Sequence, residues 1–412
     1  MIGIERVQKS VYDLPVLYFY SEARELSSVS QVPFVRQEQK AGRIIGECGW
    51  EGLRLDFNAG VRLRVPHGDW HIVISDSDSE QVFFDADVSG KTLVSMEKYF
   101  IRWKVEAFLE GRLVFSHVLD LGGQTVYIEF PQNLLGDSIL LLPYVEEFQK
   151  IHGCRVLLNI AETFHPIVRE YYPAVTLYDG SRQETYASYW LGAFQKDWFM
   201  ICDDARTLPA DYIPRLILDL PRSPAKRLWE PTSPRQIQEP YACIAVQASS
   251  ARKSWLYPGG WDVVVEYLKS LKYRVLCIDK ERETVTDGYR VALPEGAEDY
   301  TGNLPLLERV NLLAYADLFI GLPSGLSWLA DMAGCQVVLI SGITMPYAEF
   351  DTPYRVINRL VCHGCYNDMS VDWHDDFCPY HHGTERECEC SKKISPRQVI
   401  AMIDRLRSDR RR

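Results

Sequence analysis

The sequence has no long apolar run. No stretch approaches the roughly 18 residues that a bilayer-spanning helix needs. The opening residues, Met1-Ile-Gly-Ile-Glu-Arg-Val-Gln-Lys9, lack the basic-then-apolar order of a secretory leader. A cytoplasmic protein with no membrane span is expected. Positive charge is also in short supply. The 45 Lys and Arg against 56 Asp and Glu leave a net charge of −11, which argues against a general nucleic-acid binder. The basic cluster Arg405-Leu-Arg-Ser-Asp-Arg-Arg-Arg412 reads as a solvated tail. The rest of the composition is ordinary for a globular protein, and 412 residues suffice for two or three domains.

Residues 1 to about 50 show weak periodicity. From Leu53 to about Leu121 polar and apolar residues alternate, as in Val61-Arg-Leu-Arg-Val65, His71-Ile-Val-Ile-Ser75 and Gln81-Val-Phe-Phe-Asp85. Turns at Asn58-Ala-Gly60, Pro66-His-Gly68 and Ser89-Gly90 separate the runs. Strands at this spacing predict a small antiparallel sandwich or barrel, an N-terminal β-rich domain over 1–122. From Thr125 strands alternate with helices, the rhythm of a parallel α/β sheet. A crossing with six prolines between Pro214 and Pro240 separates a lobe over 123–236 from a second over 237–412. The expected architecture is α/β, with two Rossmann-like lobes facing each other across a ligand cleft.

The first lobe opens on the apolar strand Thr125-Val-Tyr-Ile-Glu-Phe130, then Pro-Gln-Asn-Leu-Leu-Gly136-Asp137, then apolar residues at helical spacing (Ile139, Leu142, Val145, Phe148). Gly136 and Asp137 fall at a helix start on the carboxyl edge of the sheet, where open α/β sheets bind ligands. Glycine lets backbone approach a ligand at no steric cost. Asp137 reads either as an N-cap or as a general base facing the cleft.

In the second lobe three loops follow strands on one rim. Gln247-Ala-Ser-Ser-Ala-Arg-Lys253 offers hydroxyls and two cations to an anion. Gly321-Leu-Pro-Ser324-Gly325-Leu326-Ser327 opens a helix, whose free N–H groups and dipole suit a phosphate. Ser341-Gly342 follows a further strand and allows close approach. Together they point to a nucleoside diphosphate.

Five of the eleven cysteines crowd into residues 362 to 390. Cys362-His-Gly-Cys365 is a C-x2-C knuckle, which aims two thiolates at one ion. Cys378 and either Cys388 or Cys390 complete a four-sulfur site. The intervening residues are polar and hold little core, so a metal would hold the segment together. Disulfides are disfavoured in a cytoplasmic chain. Four sulfurs suit zinc and iron alike. His363, His374, His381 and His382 read as spare, solvated residues.

Longer stretches tie these pieces together. They include Phe57-Asn-Ala-Gly-Val-Arg-Leu63, Gly68-Asp-Trp-His71, Leu135-Gly-Asp137, Gln238-Glu-Pro-Tyr-Ala-Cys-Ile-Ala245, Gly296-Ala-Glu-Asp-Tyr-Thr-Gly302 and Phe319-Ile-Gly-Leu-Pro-Ser-Gly-Leu-Ser-Trp-Leu-Ala330, with the cysteine segment. In these, from about residue 53 to about 400, the chain resembles the bacterial autotransporter heptosyltransferases, relatives of the lipopolysaccharide heptosyltransferases. The resemblance implies a GT-B fold with an added N-terminal β-rich domain and a Cys-rich metal finger over 361–391. It implies transfer of heptose from ADP-heptose to serine hydroxyls on the repeats of an autotransporter passenger protein. Asp137 then corresponds to the general base and Lys253 to the phosphate-facing lysine. Gly136, Ser324, Gly325, Leu326, Ser327, Ser341 and Gly342 line the donor site. The finger would be an iron site on Cys362, Cys365, Cys378 and Cys390, with zinc as the alternative, and the protein a large ring-like homo-oligomer. Two other readings are a lipopolysaccharide-core heptosyltransferase and a non-catalytic nucleotide-sugar-binding scaffold.

Overall fold

The structure, a computed structural model, describes residues 4–6, 12–20, 40–132, 134–181, 184–195, 197–371 and 377–411. Strands come first: β1 (Ile4–Arg6), β2 (Val16–Phe19), β3 (Arg54–Asn58), β4 (Arg62–Val65), β5 (Trp70–Asp76), β6 (Val82–Val88), β7 (Lys91–Ser95), β8 (Trp103–Leu109) and β9 (Arg112–Val118). Four of them pair antiparallel in the order β6-β5-β8-β9. Their alternation sends Trp70, Ile72 and Ile74 inward, the period-2 burial of a sheet with one covered face.

The other five do not stay with them. They join β10 (Thr125–Glu129), β11 (Arg155–Asn159), β12 (Thr176–Leu177) and β13 (Ala187–Trp190) in one sheet, ordered β1-β2-β7-β4-β3-β13-β10-β11-β12. The expected freestanding sandwich or barrel over 1–122 therefore differs from what is seen, because this sheet crosses residue 122 without a break. The joint is β13. All four of its residues are buried, so it needs a neighbour on each side, and it pairs in parallel with β10 and with β3. A short, wholly buried strand carries no alternation to reveal it in sequence.

Parallel strands β10, β11 and β12 are linked by α1 (Leu135–His152) and α2 (His165–Tyr171), as the strand–helix rhythm predicts. Val126 and Ile128 of β10 share a core with Ile139, Leu142, Val145 and Phe148 of α1. After α3 (Tyr212–Leu218), residues 219–240 carry no helix or strand and form the proline-rich crossing.

The second lobe is a parallel sheet ordered β18-β15-β14-β19-β20-β21. Its elements are β14 (Tyr241–Ile244), α4 (Gly260–Ser270), β15 (Arg274–Cys277), β18 (Glu298–Asp299), α5 (Leu306–Ala314), β19 (Leu318–Gly321), α6 (Gly325–Met332), β20 (Val337–Ile340) and β21 (Arg355–Val356). A hairpin of β16 (Glu283–Thr286) and β17 (Tyr289–Ala292) turns on Asp287-Gly288, both at positive φ. Such a pair suits a two-residue hairpin turn. Two helices close the chain, α7 (Glu389–Lys392) and α8 (Pro396–Asp409). The basic C-terminal segment is thus not a tail as far as Asp409. Ser395 and Gln398 make a capping box, and Val399, Ile403 and Leu406 turn one stripe fully into the core while the arginines face out.

One hydrophobic core runs from the first sheet through α1 into the second lobe, taking in Phe319, Leu329 and Leu339. The lobes meet where α1 packs on α6, and the candidate site lies there.

Candidate active site

Two strand–turn–helix units with glycine at the helix start are pressed against each other. A Cβ built on Gly325, the first residue of α6, would lie 2.4 Å from Leu135 Cβ of the opposite lobe. One built on Gly136 would lie 3.0 Å from Trp328 Cδ1 and 3.6 Å from Gly325 Cα. Gly325 is therefore required by the approach of the lobes, and at Gly136 a side chain would have to push Trp328 aside by a few tenths of an ångström. The contact brings the N-termini of α1 and α6 together, and the positive ends of their dipoles converge. Asp137 lies in the first turn of α1. The N-cap is Leu134 and makes no side-chain cap bond. Asp137 is thus inside the helix rather than capping it.

Burial raises the Asp137 carboxyl above its ordinary value, and the Lys253 ammonium from the other lobe pulls it partly back. Lys253 is the counterpart. Burial lowers it, the charges of Asp137 and Glu349 raise it, and Arg252 lowers it. A half-buried acid and a half-buried base from opposite lobes thus sense one another's charge. Perturbed groups of this kind are candidates for chemistry.

The rim loops divide into two kinds. Lys253 ends a short 3-10 turn (Ala251–Lys253) that Ser250 caps by accepting from Arg252 N–H. Ser324 sits at the N-cap of α6 without a side-chain cap bond, and Leu326 is half-buried beside it. Ser327, expected to line the donor site, is fully buried and donates to the Leu322 carbonyl at 2.6 Å. Its side chain holds the turn instead. Ser341 is fully buried as well. Its hydroxyl meets Thr344 Oγ1 at 2.8 Å, Thr344 bonds Glu349 at 2.5 Å, and Glu349 pairs with Arg355. A Cβ on Gly342 would lie 3.1 Å from Cys390 Cβ, so this glycine admits the cysteine segment.

The five clustered thiols form no disulfide. Burial, then the neighbouring sulfurs, push Cys365 and Cys388 up to about 12, and Cys362 and Cys390 also upward. Cys390 feels Cys362, Cys365, Cys378 and Cys388 together. Thiols that oppose one another's ionisation in a buried place suit a soft cation, so the donor chemistry fits. Among the described residues, however, no three His, Cys, Asp or Glu side chains are drawn into a metal-holding group. His363 lies 2.9 Å from the Val361 carbonyl, and His382 pairs with Glu387 at 2.7 Å. His381 lies 3.8 Å from Glu389. His374 lies outside the described residues.

Two further residues, Asp279 and Tyr366, receive no role from the sequence. Asp279, at the end of β15, accepts from Val246 N–H at 2.7 Å and Gln247 N–H at 3.2 Å and ties the strand ends together. Burial pushes it up to about 6 against those bonds. Tyr366, next to Cys365, is pushed up to about 12 by burial and by the Asp137 charge, and its hydroxyl shares a hydrogen bond with the Gln195 side chain. Only the position of Asp279 at a strand end could have been read beforehand.

Residues 49–111 match the family model described as glycosyltransferase TibC, N-terminal domain. Over 376 residues the chain is 39% identical to the autotransporter heptosyltransferase TibC of Escherichia coli O78:H11, covering 87% of this chain and 91% of that protein. The chain belongs to the autotransporter heptosyltransferase family. Within it, a crystal structure of TibC, described as an iron-containing dodecameric glycosyltransferase, matches with a TM-score of 0.85 over 89% of this chain and 98% of that one. A second TibC structure, with a TM-score of 0.84, holds ADP-D-β-D-heptose. The chain therefore has the two-lobed α/β fold of TibC. The family also includes a relative named inactive, BimC of Burkholderia thailandensis, 34% identical over 364 residues, 86% of each chain. Membership alone therefore does not decide catalysis.

Proposed function

We propose that this chain is a protein O-heptosyltransferase, moving heptose from ADP-heptose to serine hydroxyls on the repeats of an autotransporter adhesin in the cytoplasm. The observation that carries the reading is the meeting of two helix N-termini in the cleft, where half-buried Asp137 and half-buried Lys253 from opposite lobes lie in one another's electrostatic field. Asp137 takes the proton of the acceptor serine as its oxygen bonds to the anomeric carbon. The bond from that carbon to the diphosphate oxygen breaks, and ADP leaves with the electron pair. Lys253 and the start of α6 at Ser324, Gly325 and Leu326 stabilise the charge that grows on the diphosphate, by electrostatics set in place beforehand. Cys362, Cys365, Cys378 and Cys390 would hold one structural iron, which would tie the finger's turns to each other. A ring-like homo-oligomer, as in the dodecameric TibC, is the expected assembly.

A protein acceptor is favoured over a lipopolysaccharide core, because the 39% identity is to a protein named for autotransporters. The scaffold reading has a concrete precedent in the inactive relative, and a retained Asp137–Lys253 pair speaks against it. Mass spectrometry of a passenger protein co-expressed with wild type or Asp137→Asn tests both. A gain of one heptose on several serines, absent with the variant, is expected. No gain with wild type, together with tight ADP-sugar binding, would leave only the scaffold.

A further inference from the structure

The turn that ends in Lys253 is held from outside as well as from within. Inside it, the Ser250 hydroxyl accepts from Arg252 N–H at 3.3 Å, and Lys253 N–H donates to the Ser250 carbonyl at 3.0 Å. The first N–H of a helical turn has no partner within the turn. Here it belongs to Ala251, and it donates to Asp287 Oδ2 at 2.9 Å. The Ser250 hydroxyl donates to the same oxygen at 3.4 Å. Ser250 and Ala251 are both buried, where an N–H left without an acceptor is costly.

Asp287 stands at the tip of the β16–β17 hairpin. The register pairs Thr286 with Tyr289, so Asp287 and Gly288 are the two turn residues. Their φ values are 51° and 78°. The hairpin is tied down in turn. Lys392 Nζ of α7 donates to the Tyr289 hydroxyl at 2.9 Å and lies 5.0 Å from the ring centre. The same helix holds the far side of the Lys253 turn. Leu256 N–H donates to the Ser391 hydroxyl at 2.8 Å, and that hydroxyl donates to the Ser254 carbonyl. The Lys253 turn is thus fastened at its start by the hairpin and beyond its end by α7.

A lysine is a point charge on a flexible stem. It stabilises a developing charge without reorganisation only where the backbone beneath it is already set. A three-residue 3-10 turn has few bonds of its own and poor hydrogen-bond geometry, so it depends on a cap from elsewhere. We propose that Asp287 is a positioning residue for the transfer reaction: from the hairpin tip it caps the turn 251–253 and so sets Lys253 against the diphosphate of the donor. This role rests on the glycosyltransferase reading, in which Lys253 stabilises the departing ADP.

The test uses the full-length protein, with ADP affinity measured by calorimetry and transfer to passenger protein measured at saturating and limiting ADP-heptose. Wild-type transfer comes first. Its absence would sink the enzyme reading and this role with it, whereas the variants probe the role alone. Asp287→Gly removes the carboxylate and keeps the turn, since glycine takes positive φ at no steric cost. It should weaken ADP binding roughly tenfold, the worth of one hydrogen bond to a charged group. KM for ADP-heptose should rise in step, with the melting temperature near that of wild type. Asp287→Asn keeps an oxygen that can accept the same N–H, and should restore ADP affinity to within about twofold of wild type. In a Lys253→Met background, Asp287→Gly should change ADP affinity by less than about twofold, because the carboxylate acts through the lysine. Wild-type ADP affinity in Asp287→Gly overturns the proposal. So does failure of Asp287→Asn to restore binding, or a further tenfold loss on top of Lys253→Met, which would make the effect independent of the lysine.

Discussion

The two turns that meet in the cleft are built alike, yet they are equipped differently. Each follows a parallel strand, opens a helix and carries a glycine that the opposite lobe presses on. The first-lobe turn ends in a half-buried carboxylate that caps nothing and feels the charge of a lysine from the other lobe. The second-lobe turn carries no charge, and its innermost hydroxyl is committed to its own backbone. A glycine-bearing helix start can therefore be a chemical group or a passive dipole, and the turn's shape does not decide which. The charge does. The most severe way to break this contrast is Asp137→Asn, which makes the first turn as passive as the second. Transfer should fall about 100-fold or more, the usual worth of a positioned base, with ADP still bound. Single-turnover transfer and calorimetric ADP binding check the two halves, and full activity in the variant would return Asp137 to a purely structural role.

Lys253 is what distinguishes the second lobe's rim from an uncharged one. Lys253→Met should weaken ADP binding by about 1.5–3 kcal/mol, the worth of a hydrogen bond to a charged group, or roughly 10- to 100-fold. It should also move the pH profile. Burial raises the Asp137 carboxyl and Lys253 holds it down. The base works only when ionised, so activity appears as pH rises through its pKa. Removing the ammonium lets that pKa rise further, and the acid limb of kcat/KM should shift to higher pH. A limb that stayed in place, measured across the series at saturating passenger protein, would mean that the two groups do not sense one another.

The same division governs what could be read from the sequence. Elements with a local period were legible. Strand β10 and helix α1 fall where the apolar run from Thr125 and the spacing of Ile139, Leu142, Val145 and Phe148 place them, because apolar spacing and flanking turns are properties of neighbours in the chain. Gly136, Asp137, Lys253 and Gly325 were legible as candidates from strand–turn–helix patterning and from resemblance. What each does depends on distance across the cleft, which no local pattern holds. Strand β13 was missed since four buried residues show no alternation. The basic end looked solvated because its arginines outnumber the three apolar residues that turn inward. Arg206, a buried arginine bonded to the carbonyls of Asp368, Met369 and Val371, was invisible for a related reason, since those partners lie some 160 positions further on. Ser327 and Ser341 looked like ligand groups by type and spacing, and no local pattern announces that both are buried with their hydroxyls bonded within the protein.

Steric fit is the next term to perturb. Gly325→Ala places a methyl 2.4 Å from Leu135 Cβ, a contact that neither helix start avoids without moving. Overpacking of this kind costs about 1–3 kcal/mol. Here the strain falls between lobes, so the melting temperature should drop and the transfer rate should fall with it. Unchanged stability would mean that the lobes part freely at this contact.

The smallest expected effect is also the sharpest test of the contrast between the two serines of one turn. Ser324 sits at the N-cap and commits its side chain to no cap bond, whereas Ser327 is committed to the Leu322 carbonyl. Ser327→Ala should therefore lower stability by about 1 kcal/mol, the net worth of a typical intramolecular hydrogen bond, and leave ADP affinity within about twofold. Ser324→Ala should do the reverse, keeping the melting temperature while weakening ADP binding by roughly the same free energy. Melting curves and calorimetry on the two variants give both quantities for each serine. If both serines weakened ADP alike, the inward hydroxyl would have to reach the ligand after all, and the turn could not be the passive dipole that its buried bond makes it.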